Sequence, residues 1–446
     1  MLESVLVANR GEIARRVIRT ARRMGIRSIA VYSDVDADLP YVAEADEAMH
    51  IGPAQPAQSY LNVAAILDAA RKTGVASVHP GYGFLAENAS FATAVIEAGL
   101  TWIGPDPAAI KQMGDKIRAR NLMEQAGVPV SPGSREAVTN ADEALIEAAQ
   151  LGYPVMVKAA GGGGGIGMGA AADEGALRSA FETARSRAER FFGSPDILLE
   201  RYVERARHVE VQILGLADGR VVALGERDCS VQRRHQKVAE ETPSPGVSPA
   251  LRERMLVAAV RAGEAVGYRG AGTVECLVDI VTGTFVFLEM NTRLQVEHPV
   301  TELVTGIDLV EQQFLIASGE PPSFDTSAVA PRGHAVELRV YAEDPVRFLP
   351  GPGKITAWRE PAGNGIRVDS GYVAGNTVTP FYDPLLAKLC AYGSTRAQAL
   401  GRAREAVAAF VVEGPKNNLP FHAELLMSPD FVSGDYDTSL VSKLRS

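Results

Sequence analysis

The sequence predicts an α/β protein, and three observations support this fold class. The chain opens with a strand, a helix and a second strand, which is the pattern of a doubly wound sheet. Its central part contains stretches in which polar and apolar residues alternate, as they do along β-strands. With 446 residues, the chain is long enough for about three domains and a large core.

Composition and charge exclude several classes of function. The net charge of -9 argues against a general binder of nucleic acids or acidic membranes, because phosphates demand a basic surface. The cysteines Cys229, Cys276 and Cys390 lie far apart, which suggests neither a disulfide framework nor a zinc site and fits a reducing compartment. The N-terminal segment does not resemble a signal peptide, and no apolar stretch approaches the roughly 18 residues of a membrane span. We therefore expect a cytoplasmic protein.

The N-terminal elements lead to a glycine-containing loop, HPGYGFLAEN, at residues 79–88. The elements before it are a strand over 4–8, a helix over 12–24, a strand over 26–32, a helix over 60–73 and a strand over 76–78. No GxGxxG sequence follows the first strand, so we predict no dinucleotide site there. The glycines around Tyr82 would let the backbone approach a ligand at the carboxyl end of a strand, where open α/β sheets bind ligands. A turn with a packed tyrosine is the alternative.

A lysine and a run of glycines follow one another in the next part of the chain. The predicted elements are a helix over 108–126 with Lys116, a Pro-rich boundary over 128–133, a helix over 141–150, a strand over 154–159, a helix over 174–192 and a strand over 197–203. Lys158 lies on the strand that precedes the five glycines at 161–165, whose N–H groups could wrap a polyphosphate. These elements predict a small subdomain that closes over a nucleotide. A flexible linker is the alternative.

A segment rich in Arg, His, Gln and Lys follows a predicted β-hairpin. Strands over 208–214 and 221–226 are joined by Asp218-Gly219, a hairpin signal. The segment 227–241 that comes next could be a solvated surface. Because it lies beside predicted sheet strands, we favour an anion-binding site.

The stretch 284–301 has the most pronounced polar alternation in the sequence. Its alternate polar residues are Glu289, Asn291, Arg293, Gln295 and Glu297. In an extended chain, alternate residues share one face, which here would combine carboxylates, amides and one guanidinium. The alternative is an edge strand with a solvated face. Strands average about six residues, so we expect 293–297 to be a strand end or loop.

A predicted hairpin would bring two carboxylates together. If the strand over 272–280 is joined to the next one by the loop 281–283, Glu275 lies opposite Glu289. Facing carboxylates repel each other, and a divalent cation between them would remove that cost. The oxygens of these two residues and of Asn291 suit Mg²⁺ or Mn²⁺.

The C-terminal third of the chain supplies a second guanidinium. A helix is predicted over 303–317, and the strand over 334–341 places Glu337, Arg339 and Tyr341 on one face. Arg339 is therefore the second candidate for a guanidinium aimed into the site. The remaining predicted elements are short strands and turns over 347–395, a helix over 396–410 and a closing segment over 420–445.

Taken together, these motifs resemble the biotin carboxylase family of the ATP-grasp superfamily over nearly the whole chain. The motifs that carry the resemblance are VLVANRGEIA, HPGYGFLAEN, VMVKAAGGGGG, ERDCSVQRRHQK, EMNTRLQVEHPVTE, HAVELRVYAEDP and FYDPLLAKL. The resemblance implies an ATP-grasp fold with an N-terminal doubly wound domain, a small mobile lid and a C-terminal mixed-sheet domain. The implied parts are an N-terminal domain (1–110), a linker helix (111–130), the lid (131–203), a central catalytic domain (204–330) and a C-terminal domain (331–446).

The resemblance also implies a role for individual residues. The implied ATP-binding residues are Lys116, Lys158 and His208 at the phosphates, Gly162, Gly163, Gly164, Gly165 and Met168 in the loop over them, Glu200 and Val203 at adenine, and Gln232 and His235 near the ribose. The other implied residues are Glu275, Glu289 and Asn291 at Mg²⁺ or Mn²⁺, with two ions expected; Arg293, Gln295 and the Val296 amide at bicarbonate; Glu297 as the base; Lys237 at the phosphoryl group and bicarbonate; and Arg339 and Tyr82 at biotin.

The glycine loop departs from the pattern of this family. Related sequences commonly carry basic residues where this chain has Ile166 and Gly169. Backbone amides could still bind phosphate, but the lid would contribute less positive charge.

The resemblance implies the first half-reaction of an acyl-CoA carboxylase of the acetyl-CoA or propionyl-CoA type, as in fatty acid biosynthesis. The chain lacks an Ala-Met-Lys-Met biotinylation sequence and a region large enough for a carboxyltransferase. The biotin carboxyl carrier protein and the carboxyltransferase are therefore expected on other chains, and the family suggests a homodimer. Two alternatives are another ATP-grasp ligase of the carboxylate–amine or carbamoyl-phosphate type and a catalytically silent nucleotide sensor. The base Glu297 argues against the silent sensor.

Overall fold

The computed structural model of the protein describes residues 2–161 and 167–445, and its N-terminal part is built on a parallel sheet. The elements of this part are β1 (Ser4–Val7), α1 (Gly11–Arg23), β2 (Arg27–Ser33), α2 (Pro40–Glu44), β3 (Glu47–Gly52), α3 (Val63–Thr73), β4 (Ser77–His79), α4 (Ala89–Glu97), β5 (Thr101–Trp102) and α5 (Pro107–Gly114). The strand order is β3-β2-β1-β4-β5. Val5 and Val7 belong to the core that contains α1, whereas Leu6 belongs to the core that contains α3 and α4. Both faces of the sheet are therefore covered, as predicted.

The loop after β4 is held by a side chain from the loop after β1. The Nδ2 atom of Asn9 donates hydrogen bonds to the carbonyl oxygens of Pro80 (2.8 Å) and Tyr82 (2.7 Å). Gly81 and Gly83 have φ angles of +65° and +67°, which favour glycine. A Cβ atom on Gly81 would lie 2.8 Å from the Asn9 Nδ2 atom. The glycines thus permit the close approach that fixes Tyr82.

A small two-layer unit with its own core follows. Its elements, with the helix that precedes them, are α6 (Lys116–Gln125), α7 (Ala141–Leu151), β6 (Val155–Ala159), β7 (Met168–Ala171), α8 (Glu174–Phe192) and β8 (Ile197–Arg201). The antiparallel sheet β7-β6-β8 packs on α7 and α8. The glycines Gly162, Gly163, Gly164 and Gly165 lie outside the described residues, as does Ile166.

The prediction of a single helix over 108–126 is wrong, because α5 and α6 are separate helices. Asp115 between them is extended (φ −100°, ψ 109°). Its carboxylate accepts hydrogen bonds from the backbone N–H groups of Ile117 and Arg118. An aspartate that caps a new helix in this way ends the previous one.

The rest of the chain is built around an eight-stranded antiparallel sheet and also contains two small two-stranded sheets. Its central elements are β9 (Ala206–Gly215), β10 (Val221–Arg233), β11 (Gln236–Thr242), α9 (Pro249–Ala265), β12 (Gly270–Asp279), β13 (Thr284–Asn291), α10 (His298–Thr305) and α11 (Leu309–Ala317). Its C-terminal elements are β14 (His334–Tyr341), β15 (Gly353–Lys354), β16 (Ala357–Arg359), β17 (Ile366–Ser370), β18 (Thr377–Val378), β19 (Leu385–Gly393), α12 (Arg396–Ala409), β20 (Val411–Glu413), α13 (Leu419–Leu425), α14 (Pro429–Ser433) and α15 (Leu440–Lys443). The strand order is β13-β12-β9-β10-β11-β14-β19-β17.

The pairing of β11 with β14 joins the central and C-terminal parts in this sheet. The C-terminal strands, predicted as a mixed sheet, pair antiparallel throughout the described residues.

The helix predicted over 303–317 is also two helices, because Gly306 (φ +73°) ends α10 and Asp308 caps α11. Every described helix is too short or too polar to cross a membrane.

The hairpin of β12 and β13 places Glu275 opposite Glu289, as predicted, but through a different register. Asp279 pairs with Thr284, so the turn covers 280–283 rather than the predicted three residues. The Asp279 carboxylate accepts hydrogen bonds from two backbone N–H groups of this turn, which stabilises the longer turn. A β-bulge further along the hairpin then shifts the register by one residue. The two departures cancel at the paired glutamates.

The contact between Gly81 and Asn9 predicts different effects for substitutions at the two loop glycines. Alanine at either position carries the left-handed cost of about 1–2 kcal/mol. Gly81→Ala also displaces the Asn9 side chain, and losing its hydrogen bonds adds about 1–3 kcal/mol. We expect Gly81→Ala to lower the thermal unfolding midpoint, measured by calorimetry, more than the control Gly83→Ala, whose Cβ meets no described atom within 4 Å. Equal shifts would show that the Asn9 contact contributes nothing.

Candidate active site

Alternation along β9 separates a polar face of the large sheet from an apolar face. Val209, Val211 and Ile213 belong to a core that also contains α9. His208 and Glu210 alternate with them and point to the opposite face. All ten residues of this strand are buried, so the charged side chains on the polar face require partners inside the protein.

The ammonium of Lys237 lies between three carboxylates. Its Nζ atom lies 2.5 Å from Glu210 Oε2, 2.8 Å from Glu275 Oε1 and 2.7 Å from Glu297 Oε1. The pKa of Lys237 would be lowered by burial, but these carboxylates raise it well above its usual value. Lys237 therefore remains a cation and holds side chains from β9, β12 and the residue before α10 in one place.

Glu297 is held between two cations. Its other carboxylate oxygen lies 2.9 Å from Arg339 Nη2, and that same nitrogen lies 2.6 Å from Glu240 Oε1. Burial would raise the pKa of Glu297, but Lys237, Arg339 and Arg227 hold it well below its usual range. Burial raises the pKa of Glu240 to about 7 despite the adjacent Arg339. Glu297 is therefore the ionised carboxylate, available to accept a proton.

Glu275 and Glu289 form a candidate metal site. His208 Nε2 lies 2.8 Å from Glu275 Oε2, and Lys116 Nζ lies 3.8 Å from Glu289 Oε2. Burial would raise the pKa of Glu275, but Lys237 and His208 lower it. Burial and the charge of Glu275 raise the pKa of Glu289. Glu289 is thus less well neutralised than Glu275, and the carboxylate oxygens of the pair are of the type that binds a divalent cation.

The loop between β13 and α10 brings the remaining polar residues of the alternating stretch to the metal site. Arg293 donates hydrogen bonds from Nη1 to Gln295 Oε1 (3.0 Å) and from Nη2 to Asn291 Oδ1 (3.2 Å). Gln295 donates to Glu275 Oε1 at 3.3 Å. The segment 293–297 lies outside β13, which confirms that strict alternation ends there. The loop nevertheless keeps the guanidinium and the amides together, with the Glu297 carboxylate at its end.

The candidate nucleotide residues fall into a group on the small unit and a group on the large sheet. Lys158 on β6 donates a hydrogen bond to Glu200 on β8. On the large sheet, Gln232 Nε2 lies 2.7 Å from His208 Nδ1. Burial, together with the charges of His208 and Lys158, lowers the pKa of His235. Val203 follows β8 and Met168 begins β7.

Tyr82 lies on the side of the site towards the C-terminal part. Its hydroxyl donates a hydrogen bond to Glu12 on α1. The Nζ atom of Lys388 lies 6.0 Å from the centre of its ring. The loop after β4 therefore reaches the same region as β14 and β19.

Several residues of the site were not singled out from the sequence. Glu87 Oε2 accepts a hydrogen bond from Arg293 Nε at 2.8 Å, and Arg227 donates one to Glu210 at 2.6 Å. The sequence feature that could have identified Glu210 is its position two residues after His208, on a strand in which polar and apolar residues alternate. A lone lysine in the otherwise apolar strand β19 was the signal for Lys388.

Comparison with known proteins extends the resemblance over the whole chain. Family models match residues 1–110 (Biotin carboxylase, N-terminal domain), 115–323 (Carbamoyl-phosphate synthase L chain, ATP binding domain) and 337–443 (Biotin carboxylase C-terminal domain). A biotin carboxylase of Halalkalibacterium halodurans is 51% identical over 442 residues, covering 99% of this chain and 98% of the relative. Biotin carboxylase 2 of Bacillus subtilis is 48% identical over 443 residues, covering 99% of this chain and 100% of the relative.

A solved structure agrees with these relatives. The biotin carboxylase domain dimer of Hydrogenobacter thermophilus 2-oxoglutarate carboxylase, in complex with MgADP, ADP and bicarbonate, has a TM-score of 0.96 and 42% identity. The match covers 99% of this chain and 98% of that one. Because the relatives, the family models and this structure agree over almost every residue, the chain belongs to the biotin carboxylase family.

Proposed function

We propose that the chain catalyses the first half-reaction of a biotin-dependent carboxylase. It would use ATP and bicarbonate to carboxylate biotin on a separate carrier protein, releasing ADP and phosphate. The observation that carries this proposal is the ionised Glu297 between Lys237 and Arg339, at the end of a loop that presents Arg293. A buried base flanked by anion-binding groups suits an acidic anionic substrate such as bicarbonate.

In the proposed first step, bicarbonate is activated and phosphorylated. Arg293, Gln295 and the Val296 amide bind bicarbonate, and Glu297 takes its proton, because bicarbonate is otherwise a poor nucleophile. The oxygen then attacks the γ-phosphorus of ATP, the bond to ADP breaks, and carboxyphosphate forms. Lys237 offsets the charge of the transferred phosphoryl group.

In the proposed second step, carboxyphosphate gives CO₂ and phosphate, and this phosphate takes the N1 proton of biotin. The resulting biotin anion attacks CO₂. Arg339 stabilises the negative charge that develops on biotin, and Tyr82 lies beside the biotin ring.

Glu275, Glu289 and Asn291 would hold Mg²⁺ or Mn²⁺, with two ions proposed. When bound, the ions would neutralise charge on the ATP phosphates. The residues proposed to bind the nucleotide are Lys116, Lys158, His208, Glu200, Val203, Gln232, His235, Met168 and the glycines 162–165. In the proposed domain division, the lid (131–203) closes over a nucleotide on the central part (204–330). With Ile166 and Gly169 in its loop, that lid would contribute less positive charge than in related sequences.

We propose a homodimer that works with a biotin carboxyl carrier protein and a carboxyltransferase on other chains. The dimeric biotin carboxylase domain from Hydrogenobacter thermophilus supports the first part of this proposal. The carboxyltransferase would select the final acceptor, such as an acyl-CoA (acetyl-CoA or propionyl-CoA) or pyruvate. Three buried free thiols support a reducing compartment, the cytoplasm.

A carbamoyl-phosphate type of ligase is the second candidate, because the family model that matches the central part carries that description. The two functions differ in the acceptor that stimulates ATP cleavage. We expect phosphate release from MgATP that requires bicarbonate and rises with free biotin, measured with a coupled phosphate assay. Phosphate release stimulated by an amine but not by biotin would favour the second candidate.

The role of base assigned to Glu297 predicts that its substitution causes a selective loss of turnover. Glu297→Gln removes the proton acceptor but leaves Lys237 paired with Glu210 and Glu275, and Arg339 paired with Glu240, so the fold should persist. We expect bicarbonate-dependent phosphate release to fall about 100-fold or more. Binding of MgATP, measured by calorimetry, should remain. Wild-type turnover in this variant would refute the assignment.

Substitution of Arg339 should impair the biotin step more than nucleotide binding. We expect Arg339→Met to lower kcat/KM for free biotin by about 100-fold, because a charge-stabilising donor is lost, while the Kd for ATP stays unchanged. The matched control is Arg396→Met, which removes an arginine paired with Glu241 outside the site. A parallel loss of biotin turnover and ATP affinity in Arg339→Met would contradict the assigned role.

A further inference from the structure

Lys388 is a fully buried cation that the proposed chemistry does not use. Its side chain is 0% exposed. It lies on β19, where its position in the register is directly opposite Arg339 on β14, so the two cations share one face of the sheet. Removing an ammonium from water is costly unless partners replace the lost hydration. The identity of those partners therefore indicates what the lysine does.

The ammonium of Lys388 connects three separate segments of the chain. Its Nζ atom donates a hydrogen bond to the carbonyl oxygen of Val296 at 3.0 Å and lies 3.1 Å from Glu12 Oε2. Glu12 accepts the hydrogen bond of the Tyr82 hydroxyl. A continuous series of polar contacts thus runs from the loop proposed to bind bicarbonate to the tyrosine proposed to lie beside biotin.

Asp369, a second acidic neighbour of Lys388, has a closer partner. Asp369 lies 4.0 Å from Lys388 Nζ but 2.7 Å from Arg367. Among the described residues, Lys388 is the only cation paired with Glu12. Burial would lower the pKa of Lys388, but Glu12, Glu337 and Asp369 raise it, so the ammonium stays charged. The contacts of Lys388 with Val296 and Glu12 therefore connect the two loops.

We propose that Lys388 is a positioning residue that couples bicarbonate binding to biotin binding. This inference rests on the proposed function, which assigns bicarbonate to the Val296 amide and biotin to Tyr82. A ligand that fixes either loop also fixes the ammonium to which both loops are tied. Each substrate therefore raises the affinity for the other, and by linkage the two effects are equal.

The test measures this coupling in the full chain. Phosphate release from MgATP is followed against bicarbonate concentration, with and without free biotin, and the coupling ratio is KM for bicarbonate without biotin divided by KM with biotin. Lys388→Met fills the space but removes the charge. We expect KM for bicarbonate to rise about tenfold and the coupling ratio to fall to one, because a buried charged hydrogen bond is lost. The Kd for ATP should stay unchanged.

Three further variants separate coupling from general stability. Tyr82→Phe and Glu12→Gln break the same series of contacts at other points and should each lower the coupling ratio, which keeps the test valid if Lys388→Met fails to fold. Arg252→Met is the control. It removes a different ion pair, in which Arg252 Nε lies 2.6 Å from Glu226 Oε1, and both residues are far from the two loops in the sequence. It should leave the ratio at the wild-type value.

Two results would overturn the inference in distinguishable ways. A wild-type coupling ratio in the Lys388, Glu12 and Tyr82 variants, with or without a lower melting temperature, would reduce Lys388 to a structural residue and overturn this inference alone. Absence of bicarbonate-dependent phosphate release in the wild-type chain would overturn the proposed function, and this inference with it.

Discussion

The shared ammonium of Lys237 is the interaction on which the site depends. Glu210, Glu275 and Glu297 come from distant positions in the chain, and their buried negative charges would repel one another without it. Because the three carboxylates are buried, water screens this repulsion poorly. The same contact therefore stabilises the fold and places Glu297 beside the candidate metal site.

The antiparallel sheet explains how one site can use residues from the whole chain. Pairing of β11 with β14 places Arg339 of the C-terminal part on the same sheet as the glutamates of the central part. The N-terminal part contributes Tyr82 and Glu12, and Glu12 contacts Lys388 of the sheet. Since strand register fixes side chains across a sheet more firmly than loops can, the charged groups meet in a defined arrangement.

Local periodicity predicted much of this arrangement, and what it missed depends on local helix caps and on long-range contacts. Alternation identified the faces of β13 and β14, and helix α8 has the predicted bounds. The helix breaks at Asp115 and Gly306 were missed because each interrupts an otherwise continuous helical pattern by a single local cap. The partners of Lys388 could not be predicted, because its contacts join residues from opposite ends of the chain. The pairing of Glu275 with Glu289 was predicted through two errors that cancel.

The low pKa of Glu297 is compatible with a role as a base, because its cause can be removed by substrate. Lys237 and Arg339 lower the pKa, and both are also proposed to bind substrate anions. When an anion shares either cation, that cation stabilises the carboxylate less, and the pKa of Glu297 rises. Glu297, as the proposed base, would gain basicity as bicarbonate and the phosphoryl group enter, and without them it remains neutralised by its two cations. Proton acceptance is thereby linked to occupancy of the site.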